Sequence, residues 1–212
     1  MIHFYYGSGS PYSWRVQLLL EEKGLSYEPV LLSFQKGEHK SPEHLARHPH
    51  GKVPALRDGN LVLYDSTPIV EYLEERYPSP AFLPADPAAR ALVRVEESEA
   101  VVYFGKAFRA LARQAFFTPP EGRDPAALED ATAAVRTELA RLDVRAAERG
   151  GDHVAGPALT RADLAWLPFV ELAGRAGVDI EAAAAPWLFE WRERMRARPS
   201  YARSDPPHWR AG

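Results

Sequence analysis

Apolar residues recur with two different periods along the first part of the chain. Residues 2–6 and 27–32 are short apolar runs bounded by polar residues or glycine, and such runs predict buried strands. Between Ser10 and Gly24, apolar residues instead repeat every three to four positions, which predicts a helix with a serine cap at its start and a glycine stop at its end. A strand, a helix and a strand in this order predict a right-handed βαβ unit.

The pattern then predicts a hairpin and a second helix. Residues 33–52 are polar and rich in His, Lys and Pro, which favours irregular chain with one short helix. The runs 53–57 and 61–64 are strand-like, and the Asp-Gly-Asn sequence between them is typical of a hairpin turn. A helix with apolar residues on one face follows Asp65-Ser66. Together these elements predict an α/β layer with a mixed four-stranded sheet.

The periodicity changes after a proline-rich segment. Residues 78–89 contain repeated prolines and show no period, so they are typical of a linker. We therefore expect three parts: an α/β domain over 1–78 with a thioredoxin-like arrangement of its elements, a linker over 79–89, and an all-helical domain over 90–212. The fold class predicted is α/β followed by all-α.

Amphipathic helices account for the second domain. They are predicted over 90–117, over 125–149, from Thr160 onward, and over about 187–197. Thr160 and Asp163 have the spacing of a capping box, with Asp in place of the usual Glu or Gln, so we expect a mainly structural role for both.

Composition excludes several classes of function. The chain has 212 residues with 26 basic and 29 acidic side chains, and this balance argues against nucleic acid as the main partner. With 0 Cys there can be no disulfide, no cysteine-ligated metal and no cysteine nucleophile, and no metal site is predicted. No apolar run is long enough to cross a membrane and no signal peptide precedes the first strand, so we expect a cytoplasmic location and no membrane partner.

Ser10 is the first candidate for chemistry. It stands at a helix start directly after a strand and a glycine-rich turn, where backbone N–H groups and the helix dipole favour an anion. A thiolate is such an anion, and the pKa of a thiol falls at sites of this kind. Because the chain has no cysteine, the thiol must come from a ligand. Tyr5, Tyr6 and Ser13 are alternative hydroxyl donors, and Ser10 could equally be a plain helix cap.

Two further motifs suggest what else the ligand carries. A Val53-Pro54 bond in the cis form would leave the Val53 backbone free to pair with an extended peptide, whereas a trans bond would make Pro54 an ordinary edge residue. Asp65 and Ser66 stand at another helix start, where the helix could bind a carboxylate and Asp65 an ammonium. An α-amino acid head group has both, although a simple helix cap explains these two residues as well.

A cluster of positive charge completes the candidate site. His39, Lys40 and Lys52 could bind a second carboxylate, or could be a solvated loop. Read together, these motifs describe an extended ligand with an amino-acid head, a peptide-like middle, a terminal carboxylate and a thiol. Glutathione has this structure.

The chain also resembles the glutathione S-transferase family over nearly its whole length. The residues that carry the resemblance are Ser10-Pro11-Tyr12-Ser13-Trp14-Arg15-Val16, Gly37-Glu38-His39-Lys40-Ser41, Gly51-Lys52-Val53-Pro54-Ala55-Leu56, Asp65-Ser66 with Ile69-Val70-Glu71-Tyr72-Leu73, and Leu159-Thr160-Arg161-Ala162-Asp163. The resemblance implies a thioredoxin-like domain followed by a helical domain, a homodimer, glutathione as co-substrate and transfer of its thiolate to an apolar electrophile. It also implies Ser10 as the catalytic serine, a cis Pro54, and glutathione contacts from His39, Lys40, Lys52, Val53, Asp65 and Ser66.

The resemblance leaves the reaction open. Ser-Trp-Arg-Val is similar to the zeta class and Gly-Glu-His-Lys-Ser to the theta class, but Pro11-Tyr12 replaces the Ser-Cys pair of zeta members, which argues against zeta-type isomerisation. A glutathione-dependent isomerase, a dehalogenase and a non-catalytic binding or scaffold protein are the alternatives to a transferase. We expect the electrophile pocket between the two domains, with Tyr12 and Phe108 as its candidate aromatic residues.

Overall fold

The computed structural model describes residues 1–206, and among these a single mixed sheet has four strands: β1 (Ile2–Tyr6), β2 (Tyr27–Leu31), β3 (Ala55–Asp58) and β4 (Leu61–Tyr64). The strand order is β2-β1-β3-β4. The β1–β2 pair is parallel because a helix crosses between these strands, and the two other pairs are antiparallel. The predicted α/β layer with a mixed four-stranded sheet is confirmed.

Strand β3 begins two residues later than the sequence pattern predicts. The register pairs Tyr5 with Ala55, and Val53 lies outside the ladder. Pro54 has no N–H to donate to a neighbouring strand, and the Val53–Pro54 peptide bond is cis. The ladder therefore starts only after the proline. A second cis bond joins Ser79 to Pro80.

Three helices lie within the same part of the chain: α1 (Pro11–Glu22), α2 (Pro42–Leu45) and α3 (Ser66–Arg76). Helix α1 begins as predicted, with Ser10 as its cap and a proline in its first position. It ends at Glu22, and Gly24 follows the C-cap residue Lys23 with a φ of 63°, the left-handed conformation that glycine adopts without steric cost. Its apolar side chains, such as Leu18 and Val16, are fully buried and position the start of the helix relative to the sheet.

From α4 to residue 206 the described chain is mainly helical, as predicted. Its helices are α4 (Pro87–Ser98), α5 (Gly105–Phe116), α6 (Pro125–Arg149), α7 (Arg161–Arg175), α8 (Pro186–Arg196) and α9 (Pro199–Ser204). The single helix predicted over 90–117 differs in two respects: α4 already begins at Pro87, within the predicted linker, and a π-helical segment, Glu99–Phe104, separates α4 from α5. The Thr160–Asp163 capping box at the start of α7 is present with both of its hydrogen bonds, which confirms that prediction.

The chain forms two compact units. Within the described residues, one holds Met1–Phe82 together with 198–206, and the other is Leu83–Ala197. The predicted second domain, 90–212, therefore differs from the structure at its end, where α9 belongs with the sheet; residues 207–212 of that prediction lie outside the described residues. The physical reason is an ion pair between Arg198 and Glu22 (2.7 Å, Nε to Oε1).

Each unit has its own core. In the first, Phe4, Leu56 and Leu73 are fully buried. In the second, the centre is α7, where Trp166 is fully buried and donates a hydrogen bond from its indole N–H to Glu96 (3.2 Å). Among the described residues, no helix combines the length and the apolar character needed to span a bilayer.

Candidate functional site

The start of α1 places Ser10 at the end of a buried strand. The turn after β1 is closed by a hydrogen bond from the Ser10 backbone N–H to the Gly7 carbonyl (3.1 Å). The Ser10 Oγ accepts from the Ser13 backbone N–H (3.3 Å), so it caps the helix. A hydroxyl that accepts in this way still has its own proton to donate. Ser10 can therefore be a helix cap and a hydrogen-bond donor to an anion at the same time.

The rival hydroxyl groups differ in exposure. A small hollow at this helix start is lined by Ser10, Ser13 and Tyr6, whereas Tyr5 is not among the described residues that line it. Tyr5 is buried and its ring lies under the Arg47 guanidinium, 4.3 Å from the ring centre. Ser13 is only 1% exposed and its Oγ has no hydrogen-bond partner among the described residues. Ser10 is more exposed than Ser13, which makes it the more accessible serine.

The backbone of Val53 is available for pairing. It stands just before the sheet ladder, and neither its N–H nor its C=O makes a hydrogen bond within the described chain. The preceding residue is held in place, because the Lys52 carbonyl lies 2.7 Å from Nε2 of the buried His44. A free N–H and C=O on a fixed loop are what an extended peptide needs in order to bind as an added strand.

Asp65 and Ser66 differ in their exposure. Asp65 has φ 65° and ψ 141°, a backbone conformation that is unusual for a non-glycine residue, and its side chain is 57% exposed. It makes no cap hydrogen bond to the helix that follows it. Ser66 is buried, and its Oγ accepts from Nη1 of the buried Arg15 at 3.4 Å. The carboxylate of Asp65 therefore remains available to an external cation.

The three predicted positive groups are not equivalent. Nζ of Lys40 donates a hydrogen bond to the His50 carbonyl (3.1 Å). The Lys40 side chain also packs against Gly51, where the Cβ of any other residue would lie only 2.7 Å from Lys40 Cδ. Lys52 is exposed. His39 is different, because burial, the nearby Lys40 and then His44 lower its pKa below the ordinary value. The two lysines therefore provide the positive charge at neutral pH, and the expected charge on His39 is absent there.

Sequence reasoning missed two buried imidazoles beside this site. His44 and His48 are 1% and 0% exposed, and their rings lie 6.2 Å apart. Nε2 of His48 lies 3.4 Å from a carboxylate oxygen of Asp65. The sequence does contain one indication of this pair: the two histidines are four positions apart, a spacing that places them on one side of a helical turn. Within the described chain, no group of three or more potential ligand side chains is arranged to hold a metal ion.

The two aromatic residues predicted for an electrophile pocket lie in different units. Tyr12 is half-buried in the first turn of α1. Phe108 is 5% exposed on α5, where it stacks on Phe104 (ring centres 6.3 Å apart) and meets Phe169 edge to face. Phe108 thus has a packing role in the core of the helical unit. A contact of either residue with an electrophile stays a prediction.

Fold and site together define a protein with a thioredoxin-like domain, a half-buried serine at a helix start and a free peptide edge before a cis proline. Comparisons with known proteins point to the same class of protein. The model of the glutathione S-transferase N-terminal domain matches residues 4–81 and that of the C-terminal domain matches residues 107–199. The chain is 33% identical to glutathione S-transferase A of Pleuronectes platessa over 207 residues, which cover 96% of this chain and 91% of that protein. It therefore belongs to the glutathione S-transferase family, as the resemblance predicted.

Two other similarities concern the class of the protein. The theta class glutathione S-transferase of Xanthomonas axonopodis pv. citri, solved with glutathione bound, superposes with a TM-score of 0.86 at 30% identity, covering 96% of each chain. The maleylacetoacetate isomerase of Pseudomonas aeruginosa is 49% identical over 96 residues, which cover 44% of this chain and 44% of that protein. Similarity to both a theta class protein and an isomerase agrees with the mixed motifs in the sequence.

Proposed function

We propose that this chain is a serine-type glutathione transferase in which the Ser10 hydroxyl donates a hydrogen bond to the sulfur of glutathione and stabilises it as the thiolate. The supporting observation is the geometry of Ser10. Its oxygen accepts from the Ser13 N–H (3.3 Å), so the hydroxyl proton is free to point away from the helix. The positive end of the helix dipole at α1 adds to the same effect.

The remaining candidate residues would hold the rest of the tripeptide. Val53, held before the cis Pro54, would pair with the cysteinyl backbone of glutathione. Asp65 would bind the ammonium of the glutamyl group, and the start of α3 with Ser66 its carboxylate. Lys40 and Lys52 would bind the glycyl carboxylate, with His39 as a neutral hydrogen-bonding group beside them.

The chemical contribution of such a site is activation and proximity. A thiolate is far more nucleophilic than a thiol, and a bound thiolate held next to an electrophile reacts as if within one molecule. We propose an apolar electrophile as the second substrate, with Tyr12 and Phe108 as candidate contacts. A homodimer and a cytoplasmic location belong to the same proposal, because both are typical of this family.

A glutathione-dependent isomerase is the second candidate. The observation that favours it is the 49% identity over 96 residues to an enzyme named maleylacetoacetate isomerase. The Pro11-Tyr12 pair after the serine argues against it, because the resemblance to zeta members breaks at these two positions. The two activities differ in stoichiometry, since a transferase consumes one glutathione per turnover and an isomerase regenerates it. Dehalogenation and a non-catalytic role as a binding or scaffold protein are the remaining alternatives.

The experiment that tests the proposal is a pH titration of the thiolate absorbance of bound glutathione. We expect a thiol pKa below the free value of about 8.5 in the parent protein. Ser10→Ala should raise that pKa toward the free value and lower kcat/KM for an aryl halide electrophile by roughly 10- to 100-fold, which corresponds to about 1.4–2.7 kcal/mol. Ser13→Ala is the matched control, because it removes the buried serine hydroxyl of the same turn.

The outcomes separate the alternatives. An unchanged thiol pKa in Ser10→Ala means that another hydroxyl activates the sulfur, and Tyr6→Phe and Ser13→Ala would identify it. Turnover without loss of glutathione would favour the isomerase. Failure of the parent protein to bind immobilised glutathione would support the non-catalytic alternative.

A further inference from the structure

A buried histidine lies under the acidic residue of the candidate site. His48 follows α2, and its backbone N–H donates to the His44 carbonyl (2.8 Å), which continues the helical turn. It is 0% exposed, and its ring lies 4.9 Å from the ring of Tyr64 at the end of β4. The next residue along from Tyr64 is Asp65, so the packing of His48 against the strand end brings its imidazole to the Asp65 carboxylate.

The contact itself is long enough to leave the carboxylate available. Nε2 of His48 and Oδ1 of Asp65 are 3.4 Å apart, compared with about 2.7–2.9 Å in a tight charge-assisted hydrogen bond. The contact is a polar one and not a well-formed hydrogen bond, because neither Nε2 nor Nδ1 of His48 has a hydrogen-bond partner within the described chain. A carboxylate can only accept when ionised, so the tautomer with its proton on Nε2 is the one that faces Asp65. The Asp65 carboxylate oxygens therefore remain able to accept hydrogen bonds from a ligand.

We propose that His48 is a positioning residue for ligand binding: its neutral imidazole orients the Asp65 carboxylate toward the ammonium of the glutamyl group, and its protonated form competes with that ammonium. This inference rests on the proposed function, because it assumes that Asp65 binds the glutathione amino group. It assigns no catalytic step to His48.

The groups around His48 favour its neutral form. His44 on α2 and His50 after it face the ring at 6.2 and 6.1 Å, Tyr64 faces it from β4, and Asp65 from the turn after β4. Burial lowers the pKa of His48 below its ordinary value; Asp65 opposes this shift, and His44 and His50 add to it. The ring is therefore uncharged at neutral pH, and Asp65 keeps its full negative charge for a ligand.

The affinity for the ligand should fall at acidic pH. Above the ordinary histidine pKa of about 6.5 the ring is neutral and ligand affinity is at its maximum. As the pH falls through the lowered pKa of His48, the imidazolium forms an ion pair with Asp65, and the ligand ammonium loses its partner. The amino group of glutathione stays protonated throughout this range, so it does not itself produce the change.

The test measures binding of S-methylglutathione by titration calorimetry from about pH 5 to 8, because this ligand has no thiol to ionise. The parent should bind more weakly as the pH falls through the lowered pKa of His48, which lies below the ordinary value of about 6.5. His48→Asn places an amide N–H, in place of the ring N–H, near Asp65 but cannot become charged, so its affinity should be close to the parent's at neutral pH and should not weaken at acidic pH. His48→Ala should weaken binding at neutral pH by roughly three- to tenfold.

Two controls distinguish positioning from a general structural effect. His3→Asn removes a histidine that pairs with Glu28 on the β1–β2 edge, and it should follow the parent at every pH. The S-methyl derivative of glutaryl-cysteinylglycine lacks the ligand amino group, so its affinity should not respond to substitution of His48. A loss of binding that is equal for both ligands would indicate a structural role and would overturn the proposal.

The failures are distinguishable. If the parent does not bind S-methylglutathione at pH 8, the proposed function is wrong. If the parent binds but His48→Asn keeps the same acid dependence, the inference alone is wrong, and this holds even if His48→Ala does not fold.

Discussion

At the scale of single residues, a buried lysine stabilises the end of the first unit. The Lys23 side chain is 0% exposed, and its Nζ lies 2.8 Å from a carboxylate oxygen of Glu74. It also donates to the carbonyl groups of Tyr77 and Pro80, both at 2.8 Å. One ammonium thus holds α3 and the segment after it against the end of α1 through one ion pair and two hydrogen bonds.

Removal of this lysine should be costly. We expect Lys23→Met to lower the free energy of unfolding by about 3–5 kcal/mol, because it leaves the buried Glu74 carboxylate without its cation. Urea denaturation measures the change. Lys23→Met combined with Glu74→Gln should recover part of the loss, since the neutral amide can still accept from the Phe82 N–H. A change below 1 kcal/mol in the single variant would contradict this account.

The sequence predicted some site residues better than others for a physical reason. The capping position of Ser10 depends on its immediate neighbours, and a local pattern shows it. The contact between His48 and Asp65 depends on how a loop folds onto the end of a strand, and no local pattern contains that information. The lowered pKa of His39 likewise depends on burial, which the sequence of a polar loop does not show.

At the scale of elements, the Asp163 carboxylate at the start of α7 makes hydrogen bonds both within its own helix cap and to more distant parts of the chain. Asp163 is 0% exposed and accepts from the Thr160 N–H (2.9 Å) inside the capping box. Its other oxygen accepts from the Val154 N–H and from the indole N–H of Trp191, both at 2.9 Å. The cap therefore joins α7 to the preceding loop and to α8.

Two aspartates at helix starts should then differ in their contribution: Asp163 in the capping box of α7 and Asp124, the N-cap of α6. Asp163→Ala should lower the free energy of unfolding by at least about 3 kcal/mol, because several buried donors lose their acceptor at once. Asp124→Ala removes the exposed cap of α6 and should cost about 1 kcal/mol. Thermal or urea unfolding of both variants measures the difference. Equal losses would mean that Asp163 acts only as a local cap.

Element boundaries show where sequence patterns stop being sufficient. The limits of α6 match the prediction over 125–149 because Asp124 and Gly150 mark them locally. The start of β3 differs from the prediction, because the sequence cannot distinguish a cis from a trans Val53–Pro54 bond. The π-helical segment Glu99–Phe104 keeps nearly helical spacing, so its pattern is the same as that of an uninterrupted helix.

At the scale of the whole molecule, the first unit is assembled from two distant pieces of chain. Nε and Nη2 of Arg198 donate to the two carboxylate oxygens of Glu22, at 2.7 and 2.8 Å, and Ser200 donates to the same carboxylate. The partners are 176 residues apart in sequence. Contacts at this separation have no sequence signature, which is why the predicted domain boundary gave this segment to the helical part.

This carboxylate makes stability depend on pH. Burial raises the pKa of Glu22, but hydrogen bonds from Arg198 and Ser200 outweigh it, and the net pKa lies below the ordinary value. A lowered folded-state pKa contributes stability above the unfolded value of about 4.3–4.5, and this contribution is lost as the pH falls through the folded value. Glu22→Gln should therefore cost about 1–3 kcal/mol at pH 7 and much less below pH 4.

Unfolding by urea at several pH values tests this expectation. Glu28→Gln is the control, because Glu28 is a half-exposed carboxylate of the same unit, and its removal should change stability by no more than about 0.5 kcal/mol. A constant difference between parent and Glu22→Gln from pH 7 to pH 3 would show that the carboxylate charge has no part in it.

Because the first unit is built from two separate segments of the chain, its parts are made at different times during translation. Trp14 donates its indole N–H to Ser204, 190 residues later, and its ring lies against Tyr201. A ribosome makes α1 early and α9 late, with the whole helical unit between them, and domains generally fold as they emerge. While the helical unit is translated, the nascent sheet domain therefore lacks α9, and Trp14 lacks its contacts with Tyr201 and Ser204. The cell makes the start of the glutathione-binding domain first and can complete it only after the other unit has been made.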